Sequence, residues 1–517
     1  MGRAFKALLL LIGFYGMGFG LLGLLVVLNI LLNSLGLPDS VESKAFIASV
    51  LLCIPVVRGI FFTRGNRMRK PPGLAVTPRQ QPLLWQRVRF LAAQMGTRPP
   101  REIRLTPDVN AFVHENTHMA GLLPGKRRLF IGVPLLIGLT PAELDAVLCH
   151  ELGHYSNKDT RMAGLVQRGR ASMLSTVRLY AGKRTGNATL YRVYRGYAEY
   201  FLRTTEAISR QQESAADLAA ARIAGRANTA DALRQLPALQ AGFGFYMENY
   251  ATAGLPAGLR PTEAEFLAGF RHLMADPKRA AELEEIRREP PEEKPTPYDS
   301  HPPLRERIAA LEALPPDGKG RDGGSALAIL YAPDLLFAAV TRTALKKEVA
   351  ALPQADWAPL FHAAARARVL QAATPLLDAT RETVPGAVGL VGVLYAVDAG
   401  RLDEIASRLP EPNQAKGTTG RVRAQHMRTA LSRRLLALVQ FDLAERGCGS
   451  WPFSWSHAPA FTSPDIAAPR LDAAVGAVVA LTPDTAPLRA LLFLPASGVP
   501  GRDMPATGLP GSLSQPM

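Results

Sequence analysis

The sequence predicts a mainly α-helical protein with a small β-sheet: an N-terminal two-helix membrane hairpin, a central domain built around a histidine-bearing helix, and a helical C-terminal domain. Three observations predict it. An almost wholly apolar run covers Leu8–Leu32, and a weaker one covers Ala45–Phe62. Residues 101–133 alternate in strand fashion, and from Thr140 the period turns helical. Residues 325–445 then read as several amphipathic helices.

At 517 residues the chain has room for about three domains. Its 47% hydrophobic and 20% charged residues exclude a mainly disordered chain. Three cysteines, Cys53, Cys149 and Cys448, exclude a disulfide framework and a cysteine-built zinc finger, and they fit a reducing compartment. The net charge of +16 invites a nucleic-acid partner, but the basic residues are spread along the chain and no recognition motif accompanies them. The reading is therefore no nucleic acid.

The first apolar run exceeds the ~20 residues that span a bilayer, and it is too long for the h-region of a cleaved signal peptide. The second run carries Pro55 and Arg58, and Arg58 near its end can snorkel to the interface. Arg3 and Lys6 precede the pair, and Arg64, Arg67, Arg69 and Lys70 follow it. The positive-inside rule then puts both flanks in the cytoplasm. The expectation is a multi-pass protein of the cell (inner) membrane, with the lipid bilayer as a partner and the later domains cytoplasmic. Gly13, Gly16, Gly20 and Gly23 give the first helix a small-residue face, open either to the second helix of the same chain or to a second copy as a homo-oligomer.

The strand-like stretch contains Arg104-Leu105, Ala111-Phe112-Val113 and Leu129-Phe130-Ile131, with turns at Gly121, Pro124 and Gly125. A long helical pattern covers Thr189–Ala224, and its Tyr191, Tyr194, Tyr197 and Tyr200 read as packing residues. A charged, proline-rich loop follows at 286–299, and a linker after Pro315. The domains are therefore 1–64 (membrane hairpin), 65–315 (central domain), 325–499 (helical C-terminal domain) and 500–517 (disordered tail). Trp451, Phe453 and Trp455 read as the anchor of a C-terminal loop.

His150-Glu151-Leu152-Gly153-His154 matches H-E-x-x-H. On a helix, positions i and i+4 share a face, so both imidazoles reach one metal ion, and the adjoining glutamate can accept a proton from metal-bound water. A second match, His114-Glu115-Asn116-Thr117-His118, shows that the pattern alone decides nothing. Context separates the two. Thr140, Pro141 and Glu143 make a capping box with proline at the first helical position, and Leu144, Val147 and Leu148 form an apolar stripe leading to His150. His114 and His118 lack such periodicity and read as surface-loop residues. Cys149 reads as a packing residue. The third ligand is expected to be Glu213, with Asp217, again at i+4, accepting a hydrogen bond from a ligating histidine.

Across roughly residues 100–312 the chain resembles the HtpX-like and CAAX-prenyl-protease group of integral-membrane zinc metallopeptidases. Five motifs carry the resemblance in order: Asn110-Ala111-Phe112, Ile131–Leu136, Ala146–His154, Ser209–Asp217, and His301-Pro302-Pro303-Leu304-Arg305-Glu306-Arg307-Ile308. The resemblance implies a zincin-like metallopeptidase domain at 65–315, holding one Zn2+ per chain through His150, His154 and Glu213. It implies Glu151 as general base and Asp217 as the orienting carboxylate. His301 and Arg307 would contact the substrate or the developing oxyanion, and Asn110, Ala111 and Phe112 would bind an extended peptide as an added strand. Ser214 stands where the family usually has an aromatic residue. Leu165–Leu179 is too basic to span, which favours a cytoplasmic cleft near the bilayer.

The implied activity is a membrane-anchored zinc endopeptidase acting on extended or misfolded protein segments. A non-proteolytic membrane scaffold with a structural zinc site and partner-binding C-terminal helices is the alternative. A third reading is a peptidase whose C-terminal domain blocks its own cleft.

Overall fold

The computed structural model describes residues 2–35, 38–60, 71–118, 123–154, 173–174, 176–178, 180, 188–291, 302–320 and 323–494. It is mainly helical with one four-stranded sheet, and it divides into two compact units: residues 1–249 with 262–350, and residues 250–261 with 351–517.

The first unit begins with α1 (Gly2–Ser34) and α2 (Asp39–Ile60). Within α1, Leu9–Ser34 is long and apolar enough to cross a bilayer, and it is the one such helix among the described residues. In α2, Asp39, Glu42 and Lys44 at one end and Arg58 at the other leave only Ala45–Val57 without charge. That stretch is about 20 Å long, short of a ~30 Å hydrocarbon core. The two helices are tied by Asn29, whose Nδ2 donates to Ser49 Oγ at 2.8 Å.

Between them and the metal helix lie β1 (Leu74–Val76), α3 (Pro82–Gln94), β2 (Glu102–Thr106), β3 (Ala111–His118), β4 (Leu123–Gly132) and α4 (Val133–Gly138). The sheet runs β1-β2-β4-β3, with β2 and β4 parallel and the other two pairs antiparallel. Ile103 faces Leu129 and Leu105 faces Ile131, all four fully buried. On β4's other face Phe130 stacks on Phe112 at 4.5 Å. This order leaves β3 at an edge. Glu102 gathers three cations: Arg104 at 2.6 Å, Lys126 at 2.5 Å and Arg128 at 3.2 Å.

The expected helix after Thr140 is α5 (Pro141–Gly153). Its capping box is complete: Glu143 N donates to Thr140 Oγ1 at 3.2 Å, and Thr140 N donates to Glu143 Oε2 at 2.9 Å. The long tyrosine-rich helix is α6 (Ala188–Ala224). Its Tyr194, Ala198 and Phe201 are buried with Leu11 and Phe14 of α1. Helices α7 (Arg226–Tyr246), α8 (Glu265–Ala275), α9 (Pro277–Arg288) and α10 (Leu304–Glu312) complete the support around α5 and α6. The segment after 325 stays with this unit: Ala326 N donates to Leu139 O, Gln81 and Tyr331 exchange two hydrogen bonds, and α11 (Pro333–Ala344) lies against β1 and β2.

The second unit is helical. Leu376, Leu394, Ile405, Leu435, Val439, Val475 and Leu488 lie in its core. The loop carrying Trp451, Phe453 and Trp455 is held as expected. Tyr250 Oη donates to Trp455 O at 2.8 Å, Trp455 stacks on Tyr250, and Phe453 lies parallel to Trp357.

Candidate metal centre

The two helices α5 and α6 approach closely at Gly153. A Cβ there would sit 3.4 Å from Ala216 Cα and 3.2 Å from Met95 Cε, so glycine opposite alanine lets the backbones close in. The approach brings Glu213 to the histidine face of α5. His150 Nε2 lies 3.3 Å from His154 Nε2 and 3.4 Å from Glu213 Oε2, and His154 Nε2 lies 3.6 Å from Glu213 Oε1. One ligand atom from each residue falls within 4.8 Å of the others. Two imidazole nitrogens and one carboxylate oxygen converging in this way are a donor set suited to zinc with an open position.

Asp217, one turn beyond Glu213, accepts from His150 Nδ1 at 2.9 Å. That bond fixes the tautomer that leaves Nε2 facing the other ligands. Asp217 is itself gripped by Arg307 of α10, with Nε to Oδ2 at 2.8 Å and Nη2 to Oδ1 at 2.7 Å. Burial pushes the Asp217 carboxyl up, but Arg307 and His150 outweigh it and hold it below its ordinary range. Burial would lower His150, but its bonds to Asp217 and Glu213 and the nearby charge of Glu151 raise it to about 9. A pocket with three carboxylates and one guanidinium favours a bound cation.

The expected residues thus divide. His150, His154, Glu213 and Asp217 come together. Glu151 is half-buried beside them, near enough for its charge to act on His150. Arg307 also arrives: two of its nitrogens bind Asp217, and its side chain is 11% exposed. Sequence reasoning missed this pairing because no local pattern links residues ninety positions apart. His301 lies outside the described residues. Asn110, Ala111 and Phe112 stand at the start of edge strand β3. Asn110 is exposed, its carbonyl accepts from Gly132 N at 2.7 Å, and α5 packs against β3.

Two readings are corrected. His114 and His118 are not on a surface loop but in β3, His114 buried and paired with Arg128 and His118 paired with Leu123; Pro124 and Gly125, expected in turns, lie within β4. Strand pairing with β4 claims this stretch although it lacks a clean alternation. At ~3.3 Å per residue, positions four apart on a strand are separated by about 13 Å, so the second H-E-x-x-H cannot form a helical metal pair. Cys149 is fully buried, and burial with the nearby Asp145 pushes its thiol up to about 12, as suits an inert packing residue.

Residues 78–314 match Peptidase family M48. Protease HtpX of Haemophilus influenzae is 25% identical over 314 residues, covering 57% of this chain and 96% of that protein. Protease HtpX of Pseudomonas syringae pv. syringae is 28% identical over 252 residues, or 45% of this chain and 72% of that one. A Protease HtpX homolog of Moorella thermoacetica is 33% identical over 131 residues, 25% of this chain and 40% of its own length. No solved structure matches the chain significantly.

Proposed function

The chain carries at residues 78–314 an HtpX-like M48 metallopeptidase domain, and from that premise we propose a membrane-anchored zinc endopeptidase that cuts extended or misfolded segments, membrane proteins among them. The observation that carries the proposal is the convergence of His150, His154 and Glu213 with Glu151 on the same helix. Zinc held by those three ligands supplies a Lewis acid for the scissile carbonyl and lowers the pKa of water. Glu151 takes the proton of the attacking water and returns it to the departing amine. Asp217, braced by Arg307, keeps the proton of His150 on Nδ1. Strand β3, at the edge of the described sheet, receives an extended backbone by strand addition near Asn110–Phe112, which selects unfolded over folded substrates. His301 is assigned to the oxyanion or the substrate.

The anchor is α1, with α2 as its hairpin partner: with Arg58 snorkelling to the interface, the apolar run Ala45–Phe62 completes the second crossing. The basic flanks favour a cytoplasmic catalytic domain. The test is metal removal. Casein cleavage by the full chain in detergent should stop after chelation and return with stoichiometric Zn2+. Cleavage indifferent to chelation would overturn the proposal.

A further inference from the structure

The second unit holds a pocket that its own residues leave positively charged. Helices α12 (Trp357–Thr383) and α13 (Gly420–Glu445) pack against each other, and the segment around Pro412 lines the pocket with them. The cavity has a volume of about 520 Å³, within the ~300–1,000 Å³ of small-molecule sites. His426 and Arg433, two helical turns apart, share one face of α13, and Arg434 stands beside them. Gln371 of α12 and Gln414 of the third segment supply amides from two other sides. The remaining lining is alanine, proline and one threonine, with no carboxylate.

The charge is uncompensated. Elsewhere in this unit arginines meet carboxylates: Arg366 meets Glu445, Arg401 meets Glu404, and Arg489 meets Asp398. The acids beside the pocket in sequence are taken as well, Glu411 by Arg423 at 2.9 Å and Asp378 by Arg381 at 3.1 Å. Neither Arg433 nor Arg434 has an ion pair among the described residues. Arg434 Nη2 donates to Pro410 O at 3.1 Å, while its Nη1 is buried with no acceptor among those residues. Burial pushes this guanidinium's pKa down, and no carboxylate offsets it. A half-buried cation without a counter-charge is costly, and an anion in the pocket relieves that cost.

Two arginines without ion pairs favour a ligand with about two negative charges, and donors on three sides favour one with more than two acceptor oxygens. A phosphoryl group meets both conditions, with about −1.5 to −2 charge at pH 7 and three strong acceptor oxygens. A carboxylate meets neither. We propose that the pocket binds a phosphomonoester through His426, Arg433 and Arg434, with Gln371 and Gln414 closing around it. A soluble phosphorylated metabolite and the headgroup of a phosphomonoester lipid present the same chemistry. The site does not depend on the metal centre being a peptidase.

Full-length protein in a non-ionic detergent is titrated calorimetrically with glycerol 3-phosphate and, separately, with dihexanoyl phosphatidic acid below its micelle concentration. The expected result is one binding site per chain for at least one of the two. Arg433→Gln, at an exposed side chain, should weaken that binding about tenfold, the worth of one charge-assisted hydrogen bond. Arg470→Gln removes the same charge outside the pocket and should leave binding unchanged at about 0.15 M salt, where distant surface charges are screened. Binding of glycerol 3-phosphate assigns the site to soluble ligands, and binding of the lipid alone assigns it to a headgroup. Binding of neither would overturn the proposal, and so would binding that the two substitutions change equally.

Discussion

Arg307 and His150 share one oxygen of Asp217: Oδ1 accepts from Arg307 Nη2 at 2.7 Å and from His150 Nδ1 at 2.9 Å, and the guanidinium nitrogen lies 3.5 Å from that same imidazole nitrogen. The arginine therefore acts on the ligand geometry. Arg307→Ala should weaken zinc affinity about 10–100-fold, and Arg307→Lys should recover part of it. The check is competition against a chromophoric chelator alongside kcat and KM. Unchanged zinc affinity with a lowered kcat would restore the substrate-contacting role first expected of this residue.

Gly153 stands where the ligand helices pass close to one another, against Ala216. Gly153→Val overpacks it against Ala216 and Met95, at a cost of about 1–3 kcal/mol. The variant should melt earlier and bind zinc more weakly, because Glu213 is carried away from the histidines. Calorimetry with and without zinc checks both effects. Wild-type stability would mean that the helices do not need the glycine.

Much of this was legible in advance, and the exceptions share a cause. The capping box at Thr140, the i, i+4 histidines and the Glu213–Asp217 pair are local patterns, written within a few turns of one helix. The strand carrying His114, the brace from Arg307 and the fit of Tyr197 against Gly13 depend on partners far away in sequence, and no periodicity encodes them. Segment α2 shows the same limit in another form. Its apolar composition was visible, but its uncharged length, Ala45–Val57, decides whether it can span.

The first helix offers a paired test. Gly13 faces Tyr197, whereas a Cβ on Gly16 meets nothing within 4 Å. Gly13→Leu should lower the melting temperature in detergent, equivalent to about 1–3 kcal/mol. Gly16→Leu should leave it unchanged in a monomer. A shift in oligomeric state with Gly16→Leu, measured by light scattering, would assign that face to a second copy.

Acid should loosen the sheet through Glu102. Burial raises this carboxyl, but Lys126, Arg104 and Arg128 outweigh it and lower its pKa from 4.5 to about 2. A carboxylate depressed in the folded state contributes stability above the unfolded value, and that contribution fades as pH falls from about 4.5 towards 2. Glu102→Gln should therefore be less stable than wild type at pH 7, with the gap closing over that window. Melting curves from pH 7 to pH 2 check it, and a gap independent of pH would contradict it.

The central claim is a metal-dependent peptidase with Glu151 as its base. Wild type and Glu151→Gln should be purified side by side and assayed on the same samples for bound zinc and for casein cleavage. The account predicts about one zinc per chain in both proteins and cleavage by the wild type alone, reduced at least a hundredfold in the variant. Zinc in both with no cleavage by either would favour the scaffold. Cleavage unaffected by the substitution would contradict the assignment of the site.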